Sequence, residues 1–278
     1  MRINKNRLRL AELAVLWLIM TLISSPAYPL EKLNRIITPQ DELGKFLPEF
    51  QVYSGYHYFS KRNYNYKFNA IAKTDPESGE VEFEFISYIY ELRATMDQAL
   101  RIKECVFTAK DKDAIKRLKH DKRVSRLVTE SKDQMRIEFF LEGEKVKEKE
   151  VGYDYLTLDL AMAHITAQAL LLKGIKEFNC DVILEDKAWK LNVDFKLIRT
   201  RNVQELAPQY DYPEKLKERW KSKEEYLVYE VRVTGAIGFF YRHKYYLVFT
   251  AEKPYHFVAY WGGDPNWVEF FFVDKKTQ

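Results

Sequence analysis

The sequence predicts a mainly β protein: a strongly bent antiparallel sheet, an incomplete barrel, packed around one central apolar helix. Three observations predict it. Apolar and polar residues alternate with period two along most of the chain. Aromatic residues make up 15% of the 278 residues while Gly and Pro number only 10 and 9, a composition suited to pleated, half-buried surfaces rather than disorder. One segment alone, 154–174, is apolar on nearly every side.

Residues 1–27 have the three-part layout of an export signal. Arg2, Lys5, Arg7 and Arg9 precede the apolar run Leu13 to Ile23, and Ser25, Pro26 and Ala27 follow. Eleven apolar residues are too few to span a bilayer, which takes about 20, so cleavage before Tyr28 is expected rather than a permanent anchor. Cleavage removes four bases and Glu12, which takes the formal charge from +4 to +1. A nearly neutral, exported chain is a poor nucleic-acid binder. The expected localisation is periplasmic, with no membrane span left in the mature protein. Residues 28–50 read as a linker with a short helix between Pro39 and Phe46, and 51–278 as one β-rich domain.

In YNYKFNAIAK, Tyr64, Tyr66, Phe68, Ala70 and Ala72 share one face, with Asn65, Lys67, Asn69 and Lys73 on the other. The turn TDPESGE follows, and Val81, Phe83 and Phe85 resume the alternation, so the two runs form a hairpin. Further strands are expected at 99–107, 134–143, 180–186 and 189–198. The last places Trp189, Leu191, Val193, Phe195 and Leu197 together. Clean alternation of this kind belongs to antiparallel sheets with one wet face. EYLVYEVRVTG, HKYYLVFTAE, YHFVAYW and NWVEFFFV form a closing meander of four strands.

DYLTLDLAMAHITAQALLLKG (154–174) reads as a helix, capped by Asp154 and ended by Gly174. A helix hydrophobic all round is buried. Its polar residues Thr157, His164 and Gln168 fall on one stripe of the helical wheel. Two segments are polar. Residues 110–132 carry nine bases against four acids, and 202–225 holds two prolines and an amphipathic run, an insertion between strands. The basic stretch suits either a solvated hairpin or an anionic headgroup surface.

His57, His120, His164, His243 and His256 lack metal-ligand spacing, and no P-loop, nucleophile elbow or dinucleotide fingerprint occurs. No catalytic residue, metal or cofactor is therefore expected. The candidate lining of a greasy cavity is Tyr64, Tyr66, Phe68, Phe83, Phe85, Trp189 and Phe195 from the strands, with His164 and Gln168 from the helix. The alternative is that these rings are simply core. Cys105 and Cys180, the two cysteines, are candidates for one disulfide in an oxidising compartment.

The order of elements resembles a bacterial family of exported proteins, domain of unknown function 3108. The matching stretches are YHYFSKRNYNYKFNAIAK, DYLTLDLAMAHITAQALLL, CDVILEDKAWKLNVDFKLI and YYLVFTAEKPYHFVAYW, the last with Glu252 and Pro254 in the acidic turn before the closing strand. The resemblance covers residues 50–273 approximately and implies an exported, curved β-sheet fold without catalytic residues. The insertion 202–225 and the charged SKRN turn depart from the family pattern. Together these readings lead to a non-enzymatic periplasmic protein that binds a lipid or other hydrophobic or envelope-derived ligand, or helps to assemble or maintain the envelope. The alternatives are a lipoprotein-carrier-like chaperone and a structural partner docking on an envelope protein.

Overall fold

The computed structural model describes residues 30–273, apart from 39, 60–63, 111–123, 130–133, 142, 153–156, 185–188, 222–223, 241–242 and 264–268. The export signal read over 1–27 and most of the basic stretch 110–132 lie outside the described residues. Eight strands come first: β1 (Phe50–Phe59), β2 (Tyr64–Thr74), β3 (Val81–Ser87), β4 (Tyr90–Met96), β5 (Ile102–Ala109), β6 (Val124–Thr129), β7 (Gln134–Leu141) and β8 (Glu144–Gly152). Seven follow: β9 (Thr157–Asp159), β10 (Glu177–Leu184), β11 (Trp189–Thr200), β12 (Tyr226–Val233), β13 (Lys244–Thr250), β14 (Phe257–Gly262) and β15 (Glu269–Val273). The α-helices among the described residues are α1 (Leu33–Ile36), α2 (Ala163–Lys173), α3 (Glu214–Trp220) and α4 (Gly235–Phe240).

All fifteen strands join one sheet in the order β8-β7-β6-β5-β4-β3-β2-β1-β15-β14-β13-β12-β11-β10-β9. The chain starts mid-sheet, winds outward to the β8 edge, crosses to the β9 edge, and winds back until β15 pairs with β1. Laid flat, fourteen strand spacings would separate those edges by about 65 Å. The chain has only the step from Gly152 to Thr157 in which to cross, a reach of about 18 Å at full extension. The sheet therefore curls into a nearly closed barrel. Across the seam, the ammonium of Lys190 on β11 lies 3.8 Å from where a Cβ on Gly152 of β8 would stand.

The inner face of this sheet, with α2, forms the main core. α2 is shorter than the sequence suggests. Its first expected residues instead form β9, which pairs in parallel with β10 (Thr157 opposite Asp181), and a tight turn over Leu160–Met162. Asp159 caps that turn by accepting from the Ala161 N–H at 2.7 Å. Thr157 thus belongs to a strand and not to the helical stripe of His164 and Gln168; Asp154 lies outside the described residues. The helix ends as read, with Gly174 left-handed at φ 87°.

The segment read as a linker is also core. Leu33, Ile37, Leu43 and Leu47 are buried in the main cluster, because the concave side near α2 has volume that one helix does not fill. Lys173 of α2 pairs with Asp41, whose carboxyl is held down to about 2 by that contact and by the Thr38 N–H. No disulfide joins Cys105 and Cys180. Both thiols are buried, one on β5 and the other on β10, strands far apart in the sheet order.

The insertion 202–225 is polar in composition but apolar in action. Val203, Ala207, Tyr210, Tyr212, Leu216 and Trp220 turn inward onto the outer face of β12 to β15, covering Tyr246, Trp261 and Phe270. Trp220 packs at 5.2 Å from Trp261 and edge-on to Tyr212 at 5.0 Å. The strap is pinned at both ends: Tyr210 donates to the Gly263 carbonyl at 2.8 Å and Arg219 to the Val273 carbonyl at 2.6 Å. Its alternation was hidden because the charged residues of α3 face solvent while Leu216 and Trp220, four apart, face the sheet.

Replacing Trp220 with Ala is expected to lower the unfolding free energy by about 3 kcal/mol, read from urea titration. Glu218→Ala, on the exposed side of the same helix, should stay within about 0.5 kcal/mol of wild type.

Candidate functional site

Eight adjacent strands, in the order β5-β4-β3-β2-β1-β15-β14-β13, each send at least one ring to the concave face away from α2. Phe107, Tyr90, Phe85 and Phe68 lead from β5 to β2, with successive centroids 5.1, 5.0 and 5.0 Å apart. On β1, His57 stacks 3.7 Å above Phe271 of β15 and meets Tyr66 of β2 edge-on at 5.1 Å. Tyr260 of β14 continues the belt at 6.5 Å from Phe271, and Tyr245 of β13 stacks parallel to it at 6.0 Å.

The belt forms because the sheet register and the two-residue period agree across every junction. At its centre this requires a glycine. A Cβ on Gly55 of β1 would stand 2.1 Å from the Phe272 carbonyl oxygen and 2.9 Å from the Phe68 ring. Only a residue without that atom lets β15 and the Phe68 ring come so close.

His57, Phe68 and Phe85 are buried, but Phe107, Tyr90, Phe271, Tyr260 and Tyr245 are only half-buried although they point inward. Rings that are turned to the inside yet still reach solvent form an accessible apolar floor. Flat faces and edges offered together suit aliphatic chains and rings.

Toward α2 the concave face is closed. His164 on the helix is ringed by Tyr53 at 5.8 Å, Phe83 at 5.5 Å and Phe257 at 4.6 Å. Enclosure by these rings pushes its imidazole down to about 4, against a smaller upward pull from the Ala161 carbonyl. Burial likewise pushes the Tyr53 phenol up; its hydroxyl donates to Gln51 Oε1 at 2.5 Å. Gln168 donates to the Pro254 carbonyl at 2.8 Å and so ties the helix to the β13–β14 turn. The Cys180 thiol is pushed up by burial and by the nearby Asp181 and Asp194.

The residues proposed from sequence thus separate into three groups. Tyr66, Phe68 and Phe85 lie in the belt. Phe83, Gln168 and Phe195 are packed core, with Phe195 stacked 4.5 Å from Phe178, and His164 is half-buried among its three rings. Trp189 does not line the concave space: it is 54% exposed at the hairpin end of β11, beyond the last core layer. The Tyr64 side chain lies outside the described residues. Sequence reasoning missed His57, Tyr90, Phe107, Tyr245, Tyr260 and Phe271. The phase of FQVYSGYHYF, carrying Gln51, Tyr53, Gly55 and His57 on one face, was the signal that could have found the first of them.

Fold and belt together define a barrel-like β protein with an aromatic concave face. No family model and no curated protein matches the chain. Among solved structures it is similar to the crystal structure of a beta-barrel-like protein of a domain of unknown function (DUF1849) from Brucella abortus. The identity is 10% and the TM-score 0.43, over 81% of this chain and 95% of that chain.

Because His164 stays neutral in the folded state down to about 4 while an ordinary imidazole titrates near 6.5, the unfolded chain binds the extra proton first. The stability owed to the neutral ring is complete above the upper value and lost as pH falls through the window. We expect a loss of about 2 kcal/mol across it, after discounting for the partial exposure of the residue. Urea titrations of wild type and His164→Phe from pH 7 to pH 4 check this: the variant should lack that part of the decline.

Proposed function

We propose that the protein is an exported, non-enzymatic envelope protein that binds a hydrophobic ligand on its aromatic belt. The observation that carries this reading is the set of inward rings, Phe107, Tyr90, Phe271, Tyr260 and Tyr245, that remain half-buried in a face otherwise closed by α2. Export is supported by the basic, apolar and small-residue order of residues 1–27, and a periplasmic location accords with it. No helix among the described residues is long and apolar enough to cross a membrane. The resemblance to domain of unknown function 3108 rests on the residues quoted for it.

Magnitudes bound the ligand. An alkyl chain gains about 0.8 kcal/mol for each methylene buried, so about ten methylenes on the belt supply about 8 kcal/mol. Association costs at least about 4 kcal/mol, which leaves an affinity near millimolar from apolar contact alone. Tighter binding requires a polar anchor beside the belt.

A second reading, docking on an envelope protein, has one observation in its favour. Phe50 and Val52 on β1, Ile71 on β2 and Ile86 on β3 form an exposed apolar group on the convex face, beside the strap.

Native mass spectrometry of the protein as the cell exports it, purified without detergent, tests the binding reading. We expect a reproducible adduct that dissociates as a lipid, reduced severalfold in Phe271→Ala with little loss of thermal stability. A bare mass in every preparation, with no binding of added amphiphiles, would transfer the argument to the docking reading.

A further inference from the structure

The class of ligand follows from the charges that border the belt, an inference that rests on the binding reading above. β8 reads EKVKEKEVG, three lysines and three glutamates, and its pairing with β7 sorts them by face. Residues directly opposite in an antiparallel pair share a face. Phe139 opposes Lys147 and Ile137 opposes Lys149; both apolar residues are buried, so these two lysines lie on the concave side. Glu148 and Glu150 oppose Glu138 and Arg136 on the other side, where Lys145 pairs with Glu148 at 2.6 Å and Glu138 at 3.3 Å. The strand is neutral in sum, yet its concave face is basic.

The register also carries that charge to the rings. Lys147 opposes Phe139, Phe139 opposes Ser125, and Ser125 opposes Phe107, the belt's residue on β5. Three strand spacings, about 14 Å, separate the lysine from Phe107, within the length of a common acyl chain. The Lys147 ammonium is held 5.7 Å from the centre of the Phe139 ring, exposed at the rim. The described inward residues of β4, β5 and β7 include no acid to neutralise it.

We propose that the ligand is an anionic single-chain amphiphile of the fatty-acid kind, its chain lying on the belt and its anionic head meeting Lys147 and Lys149. The lysines supply the polar anchor that the apolar contact alone lacks. Lys147 is exposed and Lys149 only half-buried, which makes the attraction moderate and sensitive to salt.

The test uses cis-parinaric acid, whose fluorescence rises on binding, and its uncharged methyl ester. Wild type is expected to bind the acid about tenfold more tightly than the ester at low salt, with the gap narrowing at about 0.5 M salt. Lys147→Glu with Lys149→Glu should abolish the preference and leave ester affinity unchanged. Lys147→Gln with Lys149→Gln is the milder companion, and circular dichroism on both pairs checks that the edge strand remains. Equal affinity for the two probes, unaltered by charge reversal, overturns this inference while leaving hydrophobic binding in place. Absence of a fluorescence rise with either probe, at concentrations up to their solubility, overturns the binding reading itself.

Discussion

Everything in this molecule depends on the short crossing between β8 and β9. The two strands are neighbours in sequence and opposite edges in the sheet, so the sheet cannot be flat. Curvature creates a concave side, and a concave side needs filling. α2 follows the crossing at once and occupies that side, with α1 and the buried leucines of the amino-terminal segment beside it. The remaining concave surface, away from the helix, is where the aromatic belt lies.

The outer face is managed differently along its width. Over β12 to β15 the strap brings tyrosines and Trp220 onto the sheet, so strands there are apolar on both faces: Tyr226 to Tyr229 of β12 are buried without a break. Over β2 and β3 the outer face is bare, and these strands alternate between buried and more exposed residues. At the β8 edge, charge takes the place of a cover, and a row of lysines and glutamates opposes pairing with another chain.

These differences explain what the sequence made legible. Wherever one face is wet, as in β2, β3 and β11, the period of two is plain and the strand is read correctly. The bent sheet, its helix and the closing meander followed from such segments. β8 escaped notice because an edge strand with charges on both faces has no apolar period to read. Thr157 and Asp159 were absorbed into the helix because three residues of strand are too few to show a period. Trp189 was placed correctly by phase and wrongly by depth, since alternation tells which face a residue is on and not where along the strand the core ends. The belt was half visible for a similar reason: each ring's face could be read, but the alignment of eight strands depends on registers that only pairing reveals.

The junction of β1 with β15 carries a consequence for how the chain reaches its fold. Within each half, neighbouring strands are consecutive in sequence, and all but the parallel pair β9–β10 can zip as hairpins. β1 must wait: Gly55 pairs with Val273, and nearly the whole polypeptide lies between them. Closing so long a loop is slow, because its entropy is spent before the contact returns anything. The first strand to be synthesised is therefore among the last to be completed, and the belt, which straddles that junction through His57 and Phe271, becomes continuous only in the final step of assembly. A chain that stops short of β15 would keep its other hairpins but leave the belt in two pieces, the rings from Phe107 to His57 on one side and Tyr260 and Tyr245 on the other.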